Sequence, residues 1–264
     1  MGYDAVNSHK QLEKLVTRSN LGIPERKYYR FRVDRWYGGI VTGDCVGCGL
    51  FCKFCWVSDK VRYRPRLVGR FYTPSEVAGR LIDLANKSGL RQIRLSGGEP
   101  TIGKSHLIKL LEELDGLGYS FILETNGILI GHDPDYAKQL SRFDFIHVRV
   151  SLKGCCEGEF AILTGARPED FKLQLKALEN LVRYGVECHP AAMISFSTKE
   201  GMFAFDSTVQ GERSDGSYIL TRPRSFYRWN RRFLRVDASL SVSYTHLRAH
   251  ETRHDLVCRL LLEK

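Results

Sequence analysis

The chain has 264 residues, of which 43 % are hydrophobic and 27 % charged, and its formal net charge is +10 at pH 7. This is the composition of an ordinary globular domain, and it excludes a collagen-like or disordered protein. No run approaches the ~18 apolar residues of a membrane span, and residues 1–20 lack the apolar stretch of a signal peptide. We therefore expect a cytoplasmic protein with no membrane partner, whose cysteines stay reduced and serve as metal ligands or catalysts.

The first predicted unit is a basic N-terminal extension over residues 1–35, with a short helix over residues 10–17. Residues 36–42 are then predicted to form a short strand. This strand leads directly into a group of closely spaced cysteines.

Four of the eight cysteines fall within one short segment, as Cys45, Cys48, Cys52 and Cys55. A zinc ribbon separates its two cysteine pairs by roughly 12–20 residues, whereas these two pairs almost adjoin, so the spacing favours an iron–sulfur cluster. Cys48, Cys52 and Cys55 would leave the fourth iron of a four-iron cluster open, as a catalytic metal site requires. Cys45 is then left as a spare thiol or a local structural residue.

The residue before the last cysteine is aromatic, and the segment Cys48-x3-Cys52-x-Phe54-Cys55 resembles the signature of the radical S-adenosylmethionine (radical SAM) superfamily. The resemblance implies that these three cysteines hold a [4Fe-4S] cluster, that SAM chelates its unique iron, and that Phe54 packs near the adenine. It also implies an electron donor, such as a flavodoxin or a ferredoxin, as a partner.

Residues 60–70 alternate basic side chains with Tyr63 and Pro65. A solvated edge, contact with an acidic or phosphorylated substrate, and nucleic-acid contact all remain open for this segment. We do not expect nucleic acid as a partner.

Helices and strands then alternate with short connections. Thr73 and Glu76 form a capping box with Pro74 at the first helical position, and Gly89 ends that helix. The later elements are predicted as strands over 91–95, 121–123, 145–150 and 186–196 and helices over 105–114, 135–140 and 168–184.

This alternation favours parallel strands with right-handed crossovers, either as an α/β barrel or as an open doubly wound sheet. The resemblance favours the barrel: a partial TIM-type (β/α)6 barrel of the radical SAM type over residues 36–200, truncated after its fifth strand. In such a barrel the active residues lie at the C-terminal ends of the strands.

Polar motifs do follow the predicted strands. The run Ser96-Gly97-Gly98-Glu99-Pro100 resembles the superfamily's Gly-Gly-Glu-Pro motif, which binds the SAM amino group, and paired glycines let a ligand approach the backbone. Asn126 lies in a Thr-Asn-Gly turn, as in some radical SAM activases and in the deazaguanine-forming synthase; it faces the ligand or is structural. The cofactor-binding residues implied here are Gly97, Gly98, Glu99 and Asn126.

After the fourth strand, Ser151 and Lys153 point the same way because the side-chain period of a strand is two. A hydroxyl beside an ammonium suits a ribose and a carboxylate, so both are assigned to SAM. Arg149 shares their face as a candidate salt-bridge partner, and His189 either packs or contacts ligand. Cys155 and Cys156 receive no firm role.

The alternation stops near residue 200. Residues 201–242 are of uncertain origin and include a candidate frame shift, and residues 243–264 resemble translated sequencing-adapter sequence, so we expect a non-native tail. The evenly spaced His246, His250 and His254 with Cys258 are then a false metal motif.

The chemistry implied by the resemblance is reductive cleavage of SAM and hydrogen abstraction from a substrate that the sequence does not identify. The main interpretation is an activase that makes a glycyl radical on a partner protein. The first alternative is a small-molecule enzyme of cofactor or nucleoside biosynthesis. A second, from another class, is a non-catalytic metal-binding module that contacts nucleic acid.

Overall fold

The computed structural model describes residues 2–198. Eight strands form one sheet in the order β1-β2-β3-β5-β6-β7-β8, with β4 paired to the other side of β2. The strands are β1 (Thr17–Asn20), β2 (Ile23–Asp34), β3 (Ile40–Cys45), β4 (Arg70–Tyr72), β5 (Gln92–Gly97), β6 (Ser120–Thr125), β7 (Ile146–Leu152) and β8 (Cys188–Ala192). The helices are α1 (Ala5–Val16), α2 (Asp59–Tyr63), α3 (Pro74–Ser88), α4 (Lys104–Leu114), α5 (Ile128–His132), α6 (Pro134–Leu140), α7 (Glu157–Thr164) and α8 (Phe171–Arg183).

The five strands predicted from the sequence are β3, β5, β6, β7 and β8, and each pairs in parallel with the next. Their fully buried residues, such as Ile93, Leu95, Val148 and Val150, belong to one hydrophobic core with the helices. Burying each such side chain stabilises the fold by about 1.5–3 kcal/mol. The predicted partial barrel is therefore confirmed, as an open, partly parallel sheet.

The strand expected over residues 36–42 begins later, at Ile40. Residues Trp36–Gly38 form a 3-10 turn instead, and Gly38 and Gly39 have φ values of 81° and 116°. Glycine adopts such positive φ values without steric cost, and they are incompatible with an extended strand.

The segment expected to be a basic extension contributes α1, β1 and the long strand β2, which runs antiparallel to β3 and β4. Its Arg26 is 1 % exposed. The Arg26 guanidinium donates to five backbone carbonyls, those of Val16, Lys27, Val46, Glu99 and Ile102. Because guanidinium has five N–H donors, it can be buried without an anion when carbonyls surround it.

The cap predicted for α3 is present. Thr73 Oγ1 accepts from the Glu76 backbone N–H, the Glu76 side chain accepts from the Thr73 N–H, and Gly89 ends the helix at φ 67°. Helices α2, α5 and α7 were not predicted, since each is at most eight residues long and carries little amphipathic signal. Within residues 2–198 no helix combines the length and the apolarity that crossing a bilayer requires.

Candidate functional site

One pocket lies at the C-terminal ends of β3, β5, β6 and β7, the edge that parallel strands share in a barrel. All ten residues predicted to bind the cluster or SAM line this pocket. They are Cys48, Cys52, Phe54, Cys55, Gly97, Gly98, Glu99, Asn126, Ser151 and Lys153.

The three cysteines line the pocket from the loop that follows β3. Burial raises the pKa of the Cys48 thiol, and the Glu99 carboxylate raises it further. Burial also raises the pKa of the Cys52 thiol to about 11, although the cations Lys153 and Arg62 act in the opposite direction. The thiols of Cys48 and Cys52 are therefore expected to be neutral without metal, and binding of a cluster deprotonates its ligands. Three cysteine thiols of one loop that face a shared pocket fit the donor set of a [4Fe-4S] cluster.

Cys45 does not line this pocket. It is fully buried in the hydrophobic core. Burial raises the pKa of the Cys45 thiol to about 12, and its side chain pairs with the Tyr28 hydroxyl. Of the two roles left open for Cys45, the structure places it as a local structural residue.

The glycine-rich loop after β5 packs directly on the cysteine loop. The Gly98 N–H donates to the Cys45 carbonyl at 2.8 Å, and the Glu99 N–H donates to the Gly47 carbonyl at 2.7 Å. A Cβ on Gly98 would lie 2.1 Å from the Gly47 carbonyl oxygen. The missing side chain of Gly98 thus makes room for the cysteine loop, and the approach of a ligand to its backbone stays a prediction.

The Glu99 carboxylate is 1 % exposed and held by four donors. Oε1 accepts from the Thr101 N–H, the Thr101 hydroxyl and the Thr125 hydroxyl, and Oε2 accepts from the Asn126 N–H at 2.7 Å. Among the ion pairs of the described residues none involves Glu99. Each carboxylate oxygen offers about two acceptor positions, so Oε2, with its single donor, can accept one more, and an ammonium there would also balance the charge.

Asn126 is 4 % exposed, and its side-chain amide lies between the cysteine loop and α1. Nδ2 lies 3.0 Å from His9 Nε2 and 3.6 Å from Cys48 Sγ, and Oδ1 accepts from the Ile128 N–H at 3.0 Å. The sequence did not single out His9, because one histidine in a predicted extension has no spacing that marks it.

Ser151 and Lys153 lie side by side, as the strand period predicts. Lys153 Nζ donates to Ser151 Oγ at 2.7 Å and lies 5.9 Å from the centre of the Phe54 ring. Phe54 also contacts Phe196, with ring centres 5.7 Å apart. An ammonium, a hydroxyl and an aromatic face therefore meet on one side of the pocket.

Two charged residues of the sheet, Glu124 and Arg149, also line the pocket. Glu124 contacts Arg94 at 3.2 Å and Arg149 at 3.6 Å, and it accepts hydrogen bonds from Ser96 and Tyr37. Burial alone would raise the pKa of Glu124, but the two guanidiniums and the two hydroxyls hold it well below its usual range. Arg149 has the interior salt bridge expected of it, and the ionised Glu124 was not foreseen.

Other residues named from the sequence are not among those that line the pocket. His189 packs against His147 at 2.6 Å between ring nitrogens, Cys155 is buried beside Ser197, and Cys156 is exposed. The C-terminal histidines and Cys258, with the proposed tail, fall outside the described residues.

The basic segment after the cysteines divides in two. Arg62, on α2, lines the pocket and donates to the Cys52 carbonyl at 2.6 Å. Lys60, Arg64, Arg66 and Arg70 are exposed. A solvated edge describes these four residues, and Arg62 belongs to the site.

A family model described as the Radical SAM superfamily matches residues 44–200. A probable GTP 3′,8-cyclase of Methanosarcina acetivorans is 28 % identical over 169 residues, which are 62 % of this chain and 48 % of that protein. The mitochondrial GTP 3′,8-cyclase of Arabidopsis thaliana is 29 % identical over 143 residues, 52 % of this chain and 34 % of that protein. The chain thus spans half or less of the length of these relatives.

Among solved structures, Streptococcus suis SuiB bound to its precursor peptide SuiA superposes with a TM-score of 0.54 at 18 % identity, over 84 % of this chain and 51 % of that one. SuiB bound to S-adenosylmethionine gives a TM-score of 0.51 at 20 % identity, over 71 % and 44 % of the two chains. At such identities the likeness concerns the fold.

Proposed function

The chain belongs to the radical SAM superfamily, and on that premise we propose that it cleaves SAM reductively and abstracts hydrogen from a small-molecule substrate. When bound, the cluster supplies the electron that splits SAM into methionine and a 5′-deoxyadenosyl radical. The observation that supports this proposal most is the meeting of Cys48, Cys52 and Cys55 with the Glu99 carboxylate in one pocket.

The protein's own residues would bind and orient SAM. Glu99 Oε2 has the remaining acceptor position for the SAM ammonium, and Lys153 with Ser151 offers donors to the carboxylate and ribose. Phe54 presents a ring face for the adenine. Burial of Cys52 and of Glu99 would limit the access of water to the place where the radical forms.

A small-molecule substrate replaces the glycyl-radical activase that the sequence suggested first. The two relatives described above are named GTP 3′,8-cyclases, and their names point to a nucleotide rather than a protein. The cationic side chain of Arg62, which lines the pocket and is not assigned to SAM, supports an anionic substrate of this kind. Membership of an enzyme superfamily also disfavours the non-catalytic nucleic-acid module. A purine nucleotide, with GTP as the first compound, is therefore the substrate class proposed.

GTP deuterated on its ribose tests the substrate directly. The full chain, reconstituted anaerobically with iron and sulfide, would be incubated with SAM, dithionite and the labelled nucleotide. We expect consumption of GTP and transfer of deuterium into 5′-deoxyadenosine, read by mass spectrometry, with equally labelled ATP as the comparison. Formation of 5′-deoxyadenosine with neither deuterium transfer nor loss of GTP would show that GTP is not the substrate.

Glu99→Gln is expected to weaken SAM binding by about tenfold or more, since a charge-assisted hydrogen bond contributes about 1.5–3 kcal/mol. The glutamine amide has no negative charge, and its NH2 group would face the N–H and O–H groups that donate to the Glu99 carboxylate. Anaerobic calorimetric titration of the reconstituted protein with SAM measures this. Glu113→Gln, on the exposed face of α4, is the matched control; equal SAM affinity for the two variants would contradict the role of Glu99.

The exposed basic residues beside the cysteine loop suit an acidic electron donor of the flavodoxin or ferredoxin class. Lys53 lies inside the cysteine motif, and Lys60, Arg64 and Arg66 follow it at the surface. Such a patch would attract an acidic protein toward the part of the surface nearest the cluster.

A further inference from the structure

We infer that His9 is a positioning residue for the cluster: it fixes the Asn126 amide so that one N–H points at Cys48 Sγ, and this hydrogen bond raises the reduction potential of the cluster. The inference rests on the proposed function, because it requires that Cys48 is a cluster ligand. If it is correct, α1, which belongs to the segment predicted as a basic extension, contributes a residue to the redox site.

The hydrogen bonds of His9 determine which of its nitrogens carries the proton. His9 is fully buried, and its Nδ1 lies 2.6 Å from the Ala5 carbonyl oxygen one turn earlier in α1. A carbonyl accepts only, so Nδ1 carries the hydrogen. Nε2 is then an acceptor, and it faces Asn126 Nδ2 at 3.0 Å.

The orientation of the Asn126 amide follows independently. Its Oδ1 accepts from the Ile128 N–H, so the other end of the amide is the NH2 group. One of its two hydrogens goes to His9 Nε2, and the second faces Cys48 Sγ at 3.6 Å. Without the acceptor on His9, the amide loses the contact that holds its NH2 group toward α1 and the cysteine loop.

Backbone packing holds the imidazole in place. A Cβ on Gly49 would lie 2.3 Å from His9 Nδ1, so the ring rests directly on the backbone of the residue that follows Cys48. His9, Cys48 and Glu99 bring their donor atoms within 4.8 Å of one another. The histidine therefore touches the cysteine loop itself.

Electrostatics explain why a donor matters at this cysteine. The Arg62 guanidinium lies at Cys52, whose carbonyl it contacts at 2.6 Å, whereas the Glu99 carboxylate lies within 4.8 Å of Cys48 Sγ and disfavours negative charge on that sulfur. Reduction adds an electron to the cluster and its thiolates. Hydrogen bonds to sulfur offset that charge and raise the potential, and the partners that orient the donor share in the effect.

The test is an EPR-monitored redox titration of the reconstituted full chain without SAM. His9→Leu keeps most of the ring volume and removes the acceptor, and we expect its midpoint potential to become more negative than that of the wild type. His9→Gln, whose Oε1 can take the place of Nε2, is expected to shift less. His106→Leu, a buried histidine of α4 bonded to Tyr28 and Pro24, is the control and should leave the potential unchanged.

Asn126→Asp replaces the donor by an acceptor and should lower the potential by itself. Because His9 acts through Asn126, adding His9→Leu to Asn126→Asp should cause little further shift. If His9→Leu folds poorly, His9→Gln and Asn126→Asp, which lack that substitution, carry the test. Wild-type potentials in both His9 variants would overturn the inference. Loss of iron in His9→Leu would also overturn it, since His9 would then be a direct ligand. A wild-type chain that forms no four-iron cluster would instead disprove the proposed function, and the inference with it.

Discussion

Cys52→Ala is expected to abolish the four-iron EPR signal of the reconstituted, reduced protein and, with it, the formation of 5′-deoxyadenosine. Cys52 is 5 % exposed and lines the pocket between the other two proposed ligands. Two thiols from one loop are too few to retain the cluster. Iron and sulfide analysis with EPR would measure the loss.

Cys45→Ala is the matched control, because Cys45 belongs to the same short segment but lies in the core away from the pocket. We expect it to keep four irons per chain and to lose stability by only about 1 kcal/mol, as removal of a small buried group does. If Cys45→Ala lost the cluster while Cys52→Ala kept it, the assignment of the three ligands would be wrong.

Gly98→Ala is expected to destabilise the protein by about 2–4 kcal/mol, the effect of severe overpacking. Its methyl group would overlap the Gly47 carbonyl oxygen, and the backbone hydrogen bonds that join the two loops would have to separate. The cysteine loop would move with them, so cluster incorporation should fall as well. Anaerobic urea unfolding of the metal-free protein, with thiols kept reduced, measures the free energy.

Gly79→Ala is expected to change the free energy of unfolding in the opposite direction in the same assay. Gly79 lies on the exposed side of α3, and nothing stands within 4 Å of a Cβ placed there. Alanine should stabilise the helix by about 0.5–1 kcal/mol. Equal effects of the two substitutions would show that the contact between the glycine-rich loop and the cysteine loop does not determine the stability of the site.

The sequence predicted the parallel half of the fold because each strand there is short, apolar and followed by a polar turn. The residues of the pocket could be predicted together with these strands, since the C-terminal ends of parallel strands meet at one edge of the sheet. Cys48, Glu99, Asn126 and Lys153 follow four different strands, and the structure brings them to one pocket.

The antiparallel half was missed for a physical reason. β2 contains Glu25, Arg26 and Lys27, which in a sequence indicate a solvated surface, yet all three are less than 8 % exposed. Arg26 is stabilised by carbonyls from loops up to 76 residues away, and no local pattern reveals such partners. His9 was missed in the same way, because its acceptor role depends on an asparagine 117 residues later.

The substrate could not be deduced because the cysteine motif and the Gly-Gly-Glu-Pro run serve the cofactors common to the superfamily. These motifs do not extend to Glu124, Arg94 and Arg149, which form a charged network from three strands. The names of the relatives, rather than a motif in this sequence, favour a nucleotide over a protein glycine as the substrate.

The most direct test of the SAM chemistry is the EPR spectrum of the reduced, reconstituted chain recorded with and without SAM, with 5′-deoxyadenosine assayed in the same tube. We predict a four-iron signal that changes when SAM is added, together with 5′-deoxyadenosine that depends on both SAM and reductant. A four-iron signal that SAM leaves unchanged, in a tube without 5′-deoxyadenosine, would contradict the assignment of this pocket to SAM cleavage.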